Sequence, residues 1–178
     1  MEEKNIKEKA YSHFQSGLHC AEVISQTVLE EYSPDTHREV VRAASGFGGG
    51  IGGSTRELCG AFTGGIMVLG YLAGRRNPGD SLVDCGRLIE TYREEFLDAF
   101  GSLNCPTLLK GFPEQEKGIS CARMTARATV LLTGIIEAHE KETGNSIEGY
   151  FSQPRDKAHS CNPFSASGCS VLEPVKSF

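Results

Sequence analysis

Between Gly46 and Gly74 the chain reads GFGGGIGGSTRELCGAFTGGIMVLGYLAG, and no other stretch limits its fold as strongly. The glycines form a loop. The run that follows, Leu58 to Gly74, carries no charge over 17 residues, which just reaches the lower limit for crossing a bilayer. It also holds five glycines, a cysteine and a threonine, so it reads as a buried central helix rather than a membrane span. Its Gly60/Gly64 and Gly70/Gly74 pairs, each four apart, leave grooves in which another backbone approaches closely. Such grooves suit the centre of a bundle and would suit a homodimer seam equally.

Around this segment helical periodicity dominates and strand alternation is nearly absent. A first helix is expected over about residues 3–16, ending at Gly17, and a second opens near Cys20, with Ile24, Thr27, Val28 and Glu31 continuing its face. Ser33-Pro34 reads as a cap and first turn of a third helix ending near Gly46. After the turn Asn77-Pro78-Gly79-Asp80, a helix carries Cys85, Leu88, Ile89, Tyr92, Phe96 and Phe100 on one stripe and stops at Gly101. Cys105-Pro106 is placed in a loop, and Ser120 caps a last long helix from Cys121 to about Glu142 with Met124, Ala128, Leu131, Leu132 and Ile135 facing inward. The fold class is all-α: a compact bundle of about five or six helices, with the glycine loop ahead of a central apolar helix. Residues 1–142 form a cysteine-containing helical domain, and 143–178, rich in Gly, Pro, Asn and Ser, an irregular extension packed on it.

A chain of 178 residues is long enough to bury about two-thirds of its unfolded surface in one domain. The formal net charge is −5, and Lys and Arg are scattered, so no basic stripe offers the counterion release on which nucleic-acid binding depends. The N-terminal MEEKNIKEKAYSHFQSG is charged and lacks a secretory h-region, which predicts a cytoplasmic location. In that reducing compartment the seven cysteines (20, 59, 85, 105, 121, 161 and 169) point to metal binding or thiol chemistry rather than a disulfide framework.

The glycine loop raises two competing readings, a phosphate cradle or a backbone closing around a cysteine-bound group. Gly48, Gly50 and Gly53 match G-x-G-x-x-G literally, but a helix end precedes them and an apolar helix follows, where a dinucleotide site needs strands. Gly53-Ser54-Thr55 lacks the lysine of a phosphate loop. The cysteines carry more. Cys20, Cys59 and Cys121 each stand at or just inside an expected helix start, where unpaired N–H groups and the helix dipole favour a thiolate. Cys105 precedes a proline that fixes the chain direction. No C-x-x-C pair occurs, so any shared site has to be assembled in three dimensions. Against it stands simple packing, the expected role of Cys85 in its apolar stripe.

The segment Cys59-Gly60-Ala61-Phe62-Thr63-Gly64, with the glycine-rich lead-in, resembles the CGAxxG motif of the C_GCAxxG_C_C family of redox-active proteins. Cys20 in GLHCAE, Cys105 in GSLNCPTLL and Cys121 in ISCARM fall where that family's first, third and fourth cysteines stand. The resemblance spans about residues 5–140 and implies a small helical domain, related to a domain of split-Soret-type cytochromes. Those attach haem through C-x-x-C-H, which this chain lacks, so covalent haem is not implied. Cys85 and a tail with Cys161 and Cys169 depart from the pattern.

With the resemblance included, Cys20, Cys59, Cys105 and Cys121 are the expected ligands of an iron–sulfur cluster, [2Fe–2S] or [4Fe–4S], in an electron-transfer protein. Gly49, Gly50 and Gly60 are expected to bring backbone N–H groups against the cysteine-bound centre, where hydrogen bonds to sulfur tune its potential. A single zinc in a structural interaction module is an alternative, less favoured because structural zinc ligands come in close pairs. The other alternative is a cluster-free thiol–disulfide oxidoreductase with Cys59 as low-pKa nucleophile. His19 reads as an exposed residue before a helix. His13, His37, His139 and His159 carry no assigned role, Arg56 and Glu57 read as solvated loop, and the redox partner protein is left open.

Overall fold

The computed structural model describes residues 2–35 and 37–147. Among them are seven α-helices: α1 (Glu3–Gln15), α2 (Cys20–Tyr32), α3 (His37–Ala44), α4 (Gly60–Ala73), α5 (Val83–Phe100), α6 (Cys105–Lys110) and α7 (Lys117–Thr143). Short 3-10 turns cover Ser45–Phe47 and Glu114–Glu116, and the described residues hold no strand beyond an isolated bridge, Leu58 to Asn104. The chain is all-α, as its periodicity requires.

α4 is the hub. Its residues Ala61, Phe62, Val68, Leu69 and Leu72 are buried in one hydrophobic cluster with Ile24, Val28 and Leu29 of α2, Tyr92 and Phe96 of α5, and Leu132 and Ile136 of α7. The first half of α4 meets its neighbours at backbone distance. A Cβ built on Gly64 would lie 2.7 Å from the Ala21 carbonyl oxygen and 2.8 Å from the Ala21 Cα, so α2 crosses α4 where only glycine fits. At Gly65 a Cβ would enter the Tyr92 ring, whose hydroxyl donates to the Ala61 carbonyl at 2.8 Å. Phe62, Tyr92, Phe96 and Phe100 form a run of ring contacts with centroids 4.6–5.8 Å apart. The second glycine pair behaves differently. Gly70 faces open space and the nearest atoms to a Cβ on Gly74 belong to Gly70 of its own helix, so among the described residues nothing fills a groove at Gly70.

α7, with the 3-10 turn before it, is long and apolar enough to cross a membrane by length and composition, yet more than half of its most apolar window is buried against the bundle. It packs on α1, α2, α4 and α5. α4, at 14 residues, is shorter than a bilayer span.

Three boundaries differ from the sequence expectation. Ser33 closes α2, its N–H donating to the Leu29 carbonyl at 2.8 Å, and α3 starts only at His37. Cys105-Pro106 does not lie in a loop: Asn104 caps α6 and Pro106 sits in its first turn, where a missing N–H costs nothing. α7 begins at Lys117 rather than at Cys121, because the 3-10 turn Glu114–Glu116 feeds straight into it and Ser120 is not its cap. The extension from residue 148, with His159, Cys161 and Cys169, lies outside the described residues.

Candidate functional site

The glycine loop turns left-handed over five successive residues. Gly49, Gly50, Gly52 and Gly53 all have φ between 58° and 72°, and Ile51 between them has φ 63°. Each left-handed residue with a Cβ costs about 1–2 kcal/mol, which is why the run is almost all glycine. The turn is tied by N–H bonds from Gly52 to Gly46, Gly53 to Gly48 and Thr55 to Gly49, at 2.8–3.0 Å. Ser45 Oγ donates to Glu22 Oε1 at 2.7 Å, and the other Glu22 oxygen accepts the His19 N–H at 2.8 Å, pinning the loop to the start of α2.

The four cysteines stand at or near the starts of four helices. Cys20 is the first residue of α2, Cys59 caps α4, Cys105 is the first residue of α6, and Cys121 lies in the second turn of α7. Cys59 and Cys105 are held beside one another by backbone. The Cys59 N–H donates to Leu103 at 2.8 Å and the Cys105 N–H donates to Glu57 at 2.9 Å, so segments 57–59 and 103–105 run antiparallel. A Cβ on Gly60 would stand 2.4 Å from Cys20 Sγ, and one on Gly50 would stand 2.9 Å from the Cys105 Cβ. The loop and the head of α4 therefore press bare backbone against two of the sulfur-bearing side chains. Gly49 faces its own loop, with a Cβ meeting Gly53, and Gly48 packs on His19.

Electrostatics join the four into one group. The Cys59 thiol is pushed up to about 12, first by burial and then by the charges of Cys20 and Cys105. Cys121 rises to about 11, again by burial and then by Cys20 and Cys105, and Cys105 is raised by burial and Cys20. Cys59, Cys105 and Cys121 thus each feel at least one other of the set as a charge. The expectation that helix starts hold the thiols of Cys59 and Cys121 low does not survive for the metal-free protein. At Cys59 the Ala61 and Phe62 N–H groups do pull downward, but desolvation outweighs them. At Cys121 the premise itself fails, since the helix starts a turn earlier.

Cys85 stands apart. It is buried in the α5 stripe with its Sγ 3.9 Å from the Leu69 carbonyl, and burial alone raises its pKa. Among the described residues the cysteines are free thiols, and no three Cys, His, Asp or Glu groups stand in metal-holding geometry. The donor set fits a thiophilic centre in kind. His19 is exposed ahead of α2, and Arg56 and Glu57 are exposed in the loop, where Glu57 contributes its carbonyl to Cys105. His13 has a partner the sequence did not reveal: its Nε2 lies 3.3 Å from Glu30 Oε2, on the far side of α2.

The family model described as "Putative redox-active protein (C_GCAxxG_C_C)" matches residues 18–135, which hold Cys20, Cys59, Cys105 and Cys121. No curated protein and no solved structure matches the chain.

Proposed function

The chain belongs to the C_GCAxxG_C_C family of redox-active proteins, and from that premise we propose that Cys20, Cys59, Cys105 and Cys121 are the ligands of an iron–sulfur cluster serving electron transfer. The observation that carries the reading is the backbone pairing that sets Cys59 beside Cys105, with Gly60 against the Cys20 sulfur, and the charges of Cys20 and Cys105 raising the thiols of Cys59 and Cys121, while Cys85 lies outside the group. Buried thiols that repel one another as anions suit a multiply cationic centre, whose coordination removes their protons outright. A bound cluster supplies one-electron transfer. The chain's own part is to deliver sulfur from four directions, to keep water from Cys59, and to bring glycine backbone close to the sulfurs at Gly50 and Gly60.

The thiol–disulfide alternative is disfavoured on the same page. A nucleophile needs thiolate near neutral pH, and Cys59 is 3% exposed with its pKa near 12. Zinc shares the donor chemistry and is separated by assay. Protein purified without oxygen is expected to be brown, with matched iron and acid-labile sulfide. Colourless protein with one tightly held zinc would replace the cluster by a structural metal, and metal-free protein losing two thiols on mild oxidation would restore the dithiol reading.

A further inference from the structure

A cavity of about 450 Å³ lies between the end of α5, α6 and the first half of α7. Its floor is apolar, formed by Phe100, Leu108, Phe112 and Met124. Its polar groups are cationic and hydroxylic, with no acidic side chain in the wall. Arg123 and Arg127, one turn apart on α7, both reach it, and among the described residues neither has an ion-pair partner. Both are exposed at the mouth of the cavity, two like charges four positions apart on one helix in a protein whose net charge is −5. Arg127 is held in place by its guanidinium stacking over the Phe100 ring, 5.1 Å from the centroid. Ser102 Oγ accepts the Asn104 N–H at 3.1 Å, which leaves its own proton to donate.

We propose that this cavity binds a small organic anion with a flat apolar body and one carboxylate, sulfonate or phosphate group. The body lies against Phe100 and Phe112, and the anionic group is taken by Arg123 and Arg127. The volume falls within the range of small-molecule sites, and an apolar floor with a few convergent polar groups is their usual composition. A planar fork matches such oxyanions in geometry as well as charge. The walls come from the elements that carry Cys105 and Cys121, with Thr107 two residues past the first and Arg123 two past the second. The inference does not depend on what those sulfurs hold.

The test is a fluorescence titration of the full chain with an anilinonaphthalene sulfonate dye, with circular dichroism confirming that every variant keeps its helical content. One saturable site is expected, displaced by naphthoate but not by neutral naphthalenemethanol or by inorganic phosphate. Arg123→Ala and Arg127→Ala should each weaken the dye by about fivefold or more, as loss of a charge-assisted contact implies. Arg127→Lys should fall between wild type and Arg127→Ala, and Arg93→Ala, an exposed residue paired with Glu90, should change nothing. Absence of saturable binding, equal displacement by the neutral alcohol or by phosphate, or indifference to both alanine variants would overturn the proposal.

Discussion

Cys59 and Cys85 belong to the same hydrophobic cluster and are almost equally hidden, yet their surroundings make them different chemical objects. Cys85 looks out on aliphatic and aromatic side chains and one carbonyl, and nothing but burial acts on its thiol. Cys59 caps a helix, leans its backbone on the strand-like segment that delivers Cys105, and feels two other thiols. Depth alone therefore does not separate a packing cysteine from a candidate ligand. The company of other sulfurs, and backbone brought close enough to exclude any side chain, does.

The sharpest break in the comparison is Cys59→Ser against Cys85→Ser. The first should abolish bound iron and sulfide in anaerobically purified protein. The second should retain both and cost on the order of 1 kcal/mol in denaturant unfolding, the scale of a modest change in a packed core. Loss of metal from the second alone would reverse the assignment.

The glycines extend the contrast. Gly60→Ala places a methyl 2.4 Å from Cys20 Sγ and about 3 Å from the Phe47 oxygen and the Gly48 Cα. The sulfur is able to rotate away but the backbone is not, so a loss of about 1–3 kcal/mol and a fall in metal content are expected together. Gly65→Ala strikes the Tyr92 ring on the core side instead, and should lower stability by a similar amount while iron per folded molecule is unchanged. Parallel iron assays and denaturant melts read the two.

Alkaline pH tests the coupling in metal-free protein. The folded-state pKa of Cys59 is near 12 and that of Cys121 near 11, both above the ordinary thiol value of 9.0. Groups raised in this way stabilise fully below the unfolded pKa, and the contribution is lost as pH climbs toward the folded values. Stability should thus be flat to about pH 8 and then fall between about 9 and 12, by up to about 1.4 kcal/mol per pH unit for each such thiol. Cys59→Ser should flatten the slope. An unchanged slope would mean that Cys59 is not held protonated by its surroundings.

Much of this was legible from residues alone. The all-α class, the ends of α1 and α5, the starts of α2 and α4, and the inward stripe of α5 follow from apolar spacing and from glycine stops, which are local properties. The head of α7 was not legible, because Lys117, Gly118 and Ile119 give no cap and a 3-10 turn replaces one. α6 escaped because a six-residue helix has too few turns to show a period. Four separate cysteines were visible as a pattern, but the placing of Cys59 beside Cys105 depends on the backbone pairing of 57–59 with 103–105, a long-range contact that leaves no periodic trace. The direction of the thiol pKa values was hidden for a related reason, since burial is decided by the whole bundle and helix starts only by the neighbours.

The smallest effect separates two glycines of one helix. Gly70→Ala adds a methyl to an exposed position with nothing within 4 Å, in a residue that already has helical backbone. Relative to glycine, alanine in a helix interior gains roughly 1 kcal/mol, partly by restricting the unfolded chain, so the variant should unfold at slightly higher denaturant with an unchanged slope. The same change at Gly64, where the Ala21 backbone lies 2.7–2.8 Å from the added atom, should do the reverse. If Gly70→Ala instead lost stability, and did so more at high protein concentration, a second copy of the chain would have to be packing on that open groove. Light scattering of wild type and variant at matched concentrations decides it: no change in mass with a rise in stability assigns the close approach on α4 to its first glycine pair alone.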